Sequence, residues 1–516
     1  MCSSDLDPID PTVFWTFQEF VDGTDSYATQ ITQLMVGAGG NTGNGFNINV
    51  GGTSALTSAL FDSNVFTDNG GAGLRMAANG AGRITSAIIT NNTATRNGTG
   101  AFLTSTAGGV INAMVGSNQF DMNTATNTGF HTLATGTGSV VNLNSFTNNT
   151  ASNNGNGNGV RLEALLSGTV NVANFTGNTV NFNGLNGLFV RSNGVGSLVN
   201  GAIGINGQGL NTFNSNGGFG INFDASAGGS IFGPAGVGNF TVVNNTIGTT
   251  GAGNGMGGIN AIADATSPAL STLNLTIGGT TTGDTNTIVA NTDAGIAYSL
   301  RNNSTGALVI RSNTITNTVD DAAMATTTLL GQGIFVEVAG TSTLINSVFD
   351  ANEITGNAAS GIQGLIREFG MVTNLIIGNT DGDNDNGNII TGNTGDGINW
   401  LRRDFGRVIN MDIIDNTLMN NVNGLNLTAQ NANLLDSYDV DDNIITMNTA
   451  NGLRLRVEAD ADLSINMNNN LISMNGANGI DTSESLNTPS DSRSITGTWT
   501  NNTITKIGRA SGRERV

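Results

Sequence analysis

The chain has 516 residues, with 38 acidic against 18 basic side chains, one His, one Cys and 74 Gly. Apolar residues make up 38% before the glycines are added, enough to bury a core, so a charge-solvated disordered tail is excluded. A net charge of −20 argues against nucleic acid, one Cys excludes a disulfide framework or a Cys-rich zinc site, and no run approaches the roughly 18 apolar residues of a membrane span.

In chain order, residues 1–6 come first. Together with residues 506–516 they resemble read-through translations of sequencing adapters and are set aside as artefactual. They take with them Cys2 and Lys506, the only Cys and the only Lys. A secretion signal and an anchor are expected beyond the sequence given. Residues 7–44 depart from the pattern that follows and cluster Phe14, Trp15, Phe17 and Phe20. They are expected to form an N-terminal cap or irregular first coil, with an aromatic sugar platform as the sharper alternative.

From residue 45 to 505 one unit recurs: Asn-x-apolar-x-x-Asn, three or four residues, then Gly-apolar-x-apolar. It reads clearly in Asn64, Phe66 and Asn69 before Gly73, in Asn352, Ile354 and Asn357 before Gly361, and in Asn443, Ile445 and Asn448 before Gly452. The recurring glycines, from Gly45 to Gly479, are spaced 27–30 residues apart with excursions up to 38. Each unit holds three short apolar alternations and no helical period. In one unit these are Val160–Leu162, Thr169–Val172 and Asn178–Val180. The pattern predicts an all-β solenoid of about fifteen coils with three short strands per coil.

That spacing and its three alternations resemble right-handed parallel β-helix repeats, the family that includes pectate-lyase-like enzymes, phage tailspikes and many bacterial surface proteins. The resemblance implies the fold and is nearly silent on activity. Stacked coils about 4.8 Å apart place equivalent residues directly over one another, giving a rod of roughly 70 Å. A recurrent Asn can then pass amide hydrogen bonds up the stack. It also tolerates a left-handed corner, and the recurrent Gly avoids a Cβ clash at the turn.

Side chains two and four residues after each recurrent Gly should face outward. Down four coils these include His131, Arg161, Glu163, Arg191 and Asp224, which should share one face. Related lyases and hydrolases use carboxylates and Arg on such a face against acidic sugars, and Glu163 and Asp224 would lie about 9–10 Å apart, near the spacing of inverting glycosidases. The plainer reading is an exposed ion ladder that fixes register.

Two long coils share an inserted turn, Thr276–Asp284 and Ile376–Asn386. In the second, Asp381, Asp383 and Asp385 alternate as hard oxygen donors do around Ca²⁺. Asn386 and Gly392 depart from the EF-hand loop, which leaves a solvated turn as the rival reading. The insertion Val319–Leu330 carries no recognisable chemistry. Six residues after their glycines stand Arg301, Arg367 and Arg403, either an anionic-glycan site or corner reinforcement beside Phe369 and Phe405.

Absences weigh as much. There is no Gly-His-Gly with paired Asp of the pectin-hydrolysing kind, no Lys base within the repeats, and one His precludes a His-pair metal site. The expectation is a secreted or cell-surface β-helix with a structural or adhesive role toward a polysaccharide or cell-surface glycan. No cofactor is required, and Ca²⁺ is the one considered. The alternatives are a polysaccharide lyase or glycoside hydrolase on the His131–Asp224 face, and a phage tail-fibre-like protein.

Overall fold

The computed structural model describes residues 41–124, 128–281, 283–320, 330–379, 387–430, 435–485 and 494–505, together with the backbone of strands Gln18–Val21, Ser26–Thr32 and Met35–Val36. The chain is a parallel β-helix, with three strands per turn falling into three lengthwise sheets. The first sheet runs from Gln18–Val21 to Ile480–Ser485, and each strand pairs in parallel with its equivalent one coil on. The second begins at Ser26–Thr32 and ends at Ser494–Thr496 and Trp499–Thr500. Where a coil splits this strand in two, as in Thr169–Val172 and Phe175–Thr176, both pieces pair with the single strand Val140–Thr147 before them. The third sheet is the narrowest. Between Thr93–Thr95 and Asn211–Phe213 it thins to single bridges, Thr93 to Gln119, Thr150, Thr179 and Thr212, and the column remains continuous. The expected fold and coil count are what the chain adopts.

Strand alternation explains the core. In Val160–Leu165, Val160, Leu162 and Ala164 point inward and are fully buried. Equivalent residues of successive coils repeat this and build one continuous apolar column from Phe46 to Ile472. Within it Phe146 stacks on Phe175 at 5.0 Å between ring centroids, and Phe175 on Phe213 at 6.4 Å. These rings fill a narrow interior with large apolar groups whose planes follow the coil repeat.

Two buried amide ladders flank the third sheet. One runs from Asn64 through Asn92, Asn118 and Asn149 to Asn502, the other from Asn41 through Asn69, Asn97 and Asn123 to Asn475. At most steps the backbone N–H and the Nδ2 of one Asn both donate to the Oδ1 of the next, as from Asn64 to Asn92 at 2.9 and 2.8 Å. The Nδ2 also donates back to a core-strand carbonyl, from Asn92 to Phe61 at 2.9 Å. The second ladder changes chemistry once, at Thr318, whose hydroxyl donates to Asn357 Oδ1 at 2.9 Å.

One sequence expectation needs correcting. The ladder asparagines do not occupy the left-handed corner; the residue just before them does, among them Ser63, Asn91, Ser117, Asn148, Asp415 and Asp442, with φ between 54° and 58°. Asn is chosen at the ladder for its two-sided amide, and the neighbouring corner accepts many residue types. The recurrent glycines are likewise outside the left-handed region. They are required by close approach, because a Cβ on Gly361 would lie 2.8 Å from the carbonyl oxygen of Gly397 and 2.4 Å from a methyl of Ile390. Gly361→Ala is therefore expected to lower stability by about 1–3 kcal/mol through overpacking, read as a fall in the urea midpoint at unchanged slope.

Candidate functional site

The first sheet places the five predicted residues on one outer face in unbroken register. His131 lies beside Arg161, Arg161 beside Phe189, Glu163 beside Arg191 and Arg191 beside Asp224. Alternation aims them outward, and the absence of any bulge in these pairings keeps the face flat.

Glu163 is the hub. Its carboxylate accepts from Arg161 Nη2 at 2.6 Å, meets His131 Nε2 at 3.0 Å and has Arg191 Nη1 at 3.9 Å. These neighbours cover it so fully that only 3% of its side chain is exposed. Arg191 Nε also reaches Asp224 Oδ2 at 3.2 Å. The same guanidinium thus touches both carboxylates and fills the gap between them. Planar groups continue the column. His131 stacks on Phe102 at 4.7 Å with 17° between planes, Arg161 lies 5.6 Å over Phe189, and Arg75 lies 6.0 Å over Phe102.

Burial opposes charge on Glu163, yet the hydrogen bonds from His131 and Arg161 win and hold its carboxyl below the usual range. Burial lowers the His131 pKa against the pull of Glu163, and Arg161 reinforces the lowering, so the ring is neutral at pH 7. Burial raises Asp224, with Ser226 and Arg191 pulling it back.

The His131 shift has a stability consequence. A folded-state pKa below the unfolded value means that the unfolded chain binds the proton first. The contribution is complete above the unfolded His value of about 6.5 and is lost as pH falls through it toward the folded value. Thermal melting between pH 7.5 and 5.5 should show a destabilisation that His131→Gln removes.

The second predicted group splits. Arg301 and Arg367 converge, but on an acid missed in the sequence: Arg301 Nη2 and Arg367 Nε clamp Glu337 at 2.7 and 2.9 Å, leaving its side chain 3% exposed. The signal was present, since Glu337 stands four residues after Gly333, the same rank that holds Glu163. Arg403 does not join them and faces Asp404 at 3.8 Å. Phe369 and Phe405 stack at 5.3 Å with 6° between planes on the neighbouring corner. Two of the three arginines are therefore engaged in a buried-acid clamp.

Asp381, Asp383 and Asp385 lie outside the described residues, as do Phe14, Trp15 and Phe17. Among the described residues no group of three or more His, Cys, Asp or Glu is arranged to hold a metal ion. Near the inserted turn, burial raises the carboxyls of Asp412, Asp415 and Asp441, with help from Asp439 and Asp442. No helix among the described residues is long and apolar enough to cross a membrane.

No family model matches the chain, and none of the curated proteins matches it. Among solved structures it is similar to the periplasmic alginate epimerase AlgG, at 14% identity over 82% of this chain and 76% of that one, with a TM-score of 0.32. The A-module of the Azotobacter vinelandii mannuronan C-5 epimerase AlgE4 gives 14% identity over 82% and 90%, with a TM-score of 0.31. Tailspike protein 3 of bacteriophage CBA120 gives 9% identity over 97% and 57%, with a TM-score of 0.26. Scores this low leave the question of activity to the chain's own residues.

Proposed function

We propose that the chain is a secreted or cell-surface rod with a structural and adhesive role, binding a polysaccharide or cell-surface glycan along its exterior. The observation that carries this reading is the position of Arg191 between Glu163 and Asp224. An inverting hydrolase needs its two carboxylates separated by room for a water, and a retaining one needs a carboxylate free to attack the sugar. Here a guanidinium occupies the gap, and Glu163 is consumed by three cationic or hydrogen-bonding neighbours. The cluster fixes register between coils, and the flat sheets offer a long exterior for contact.

The test is direct. The purified chain is applied to a glycan array and to whole bacterial and eukaryotic cell surfaces. Saturable binding supports the adhesive role; no binding to any of them reduces the molecule to a spacer. The Asp381–Asp385 turn stays a proposal for Ca²⁺. Calorimetric titration should show binding that Asp383→Asn abolishes, and no heat above dilution would remove the metal.

A further inference from the structure

We infer that the ligand face is the outer surface of the third sheet, and that its ligand is an extended, uncharged polysaccharide. This rests on the glycan-binding reading and goes on to name both face and ligand class. The outward rank of that sheet is Thr in six consecutive coils, Thr150, Thr179, Thr212, Thr246, Thr287 and Thr314, each paired with the next. Their segments and corners, residues 148–153, 177–182, 210–215, 244–249, 285–290 and 312–317, contain no Asp, Glu, Lys or Arg. In overlapping coils the first sheet carries the whole His131–Asp224 charge cluster. Charge is thus segregated to one face and excluded from another.

The stripe is bounded by Asp121 in the coil before it and Glu353 in the coil after. Six coils span about 24 Å at the coil rise. The buried Asn ladders pin both ends of every short strand here, as at Asn149 and Asn154 or Asn178 and Asn183. The hydroxyls and methyls between them are therefore held in a fixed, regular row. Thr150 donates its hydroxyl to Asp121 at 3.1 Å; the other five offer a donor, an acceptor and a methyl each, a set suited to sugar hydroxyls and C–H faces and lacking any cation for a uronate.

Phe182 is the second, independent observation. It stands at the edge of this row, 59% exposed, in the left-handed region at φ 58°. The corner tolerates large side chains elsewhere, Met122, Met447 and Met474 among them, but Phe182 is the only aromatic residue at positive φ among the described residues. Its coil neighbours at the same corner are Asn153 and Ser215, which are smaller and polar. An aromatic ring beside a row of hydroxyls is an apolar platform for one pyranose ring. The overall charge of −20 further disfavours an acidic polymer.

The experiment measures retention of the intact chain on insoluble cellulose and chitin, and in gels containing a neutral β-glucan or an acidic uronan. Wild type should be retained by at least one neutral polymer and not by the uronan. Phe182→Ala should weaken retention about tenfold, and Thr212→Glu, which puts a charge in mid-row, should abolish it. Glu163→Gln should leave retention unchanged, and circular dichroism should show the same β spectrum for every variant. Neutral-polymer retention that survives both face substitutions, or retention by the uronan alone, would overturn the assignment while leaving glycan binding intact. Binding to no glycan in any format would remove both readings together.

Discussion

Replacing Asn352 with Ala should destabilise the rod by about 3–5 kcal/mol, far beyond an ordinary polar substitution. Asn352 is 1% exposed, its Oδ1 accepts two hydrogen bonds from Asn313 at 3.0 Å, and its Nδ2 donates to Ile310 O at 2.8 Å and Asn388 Oδ1 at 2.9 Å. Truncation strands a buried backbone N–H and a buried carbonyl as well as two amides. Asn352→Asp should cost still more at neutral pH. Its second oxygen would face the Ile310 carbonyl and the Asn388 amide oxygen where a donor is needed, and a charge would be buried unpaired. The gap between the two variants should narrow in acid, where the carboxyl regains a proton to donate. Urea denaturation of both variants at pH 7 and pH 4.5 checks this: a small loss for Asn352→Ala would show that the ladder is ornamental, and a gap between the variants that does not narrow in acid would contradict the buried-charge argument. Because a solenoid's stability is a sum over coils and their interfaces, a fluorescent probe near the coil that holds Asn352 should report the loss before one placed in the first coils.

The second large effect lies inside the barrel of coils. Arg402 and Asp436 form a fully buried ion pair, Nε to Oδ2 at 2.6 Å, with Arg402 Nη1 donating to Gln430 O at 3.1 Å and Val408 N–H donating to Asp436 Oδ1 at 3.0 Å. Burial pushes the Asp436 carboxyl up, and Arg402 pulls it back down. Arg402→Met or Asp436→Leu alone should cost about 3–5 kcal/mol, because each leaves an uncompensated charge in the core. The double variant should recover most of that loss, since an apolar pair avoids desolvating two ions. Additive losses in the double variant would show that the two residues act independently. Trp400 Nε1 and Tyr438 Oη, buried on the same two strands as Arg402 and Asp436 and without hydrogen-bond partners among the described residues, already tolerate an imperfectly satisfied interior there.

The fold was legible because each element repeats. The Asn pairs, the recurrent Gly and the alternating apolar residues all carry one period, so register follows from spacing alone. The charge cluster was legible for the same reason: counting two and four residues from Gly129, Gly159, Gly187 and Gly220 lands on the residues that meet in space. What the spacing did not supply was the direction of long side chains. Arg191 bridges to both carboxylates, and Arg301 and Arg367 reach across a coil to Glu337, because flexible guanidinium stems settle toward the nearest buried acid. Arg402, beside Arg403, carries no motif of its own in the sequence. Yet at five residues past Gly397 it must point inward, and an inward Arg requires a buried partner. The Phe182 corner was hidden differently: the repeat marks the residue before a ladder Asn as the left-handed corner, but corner residues vary too widely in size and polarity for the spacing to single out an exposed ring there.

The central proposal, that the conspicuous charge cluster holds coils together rather than acting as a catalytic site, is tested most directly with Glu163→Gln and Asp224→Asn. Each is assayed beside wild type for new reducing ends and unsaturated products on neutral and acidic polysaccharides, with melting temperature followed in parallel. We predict no product from any of the three proteins, with a lower melting temperature for Glu163→Gln, whose loss of charge leaves Arg161 and Arg191 facing each other across a neutral amide. Turnover by wild type that disappears in either variant at unchanged stability would contradict the account.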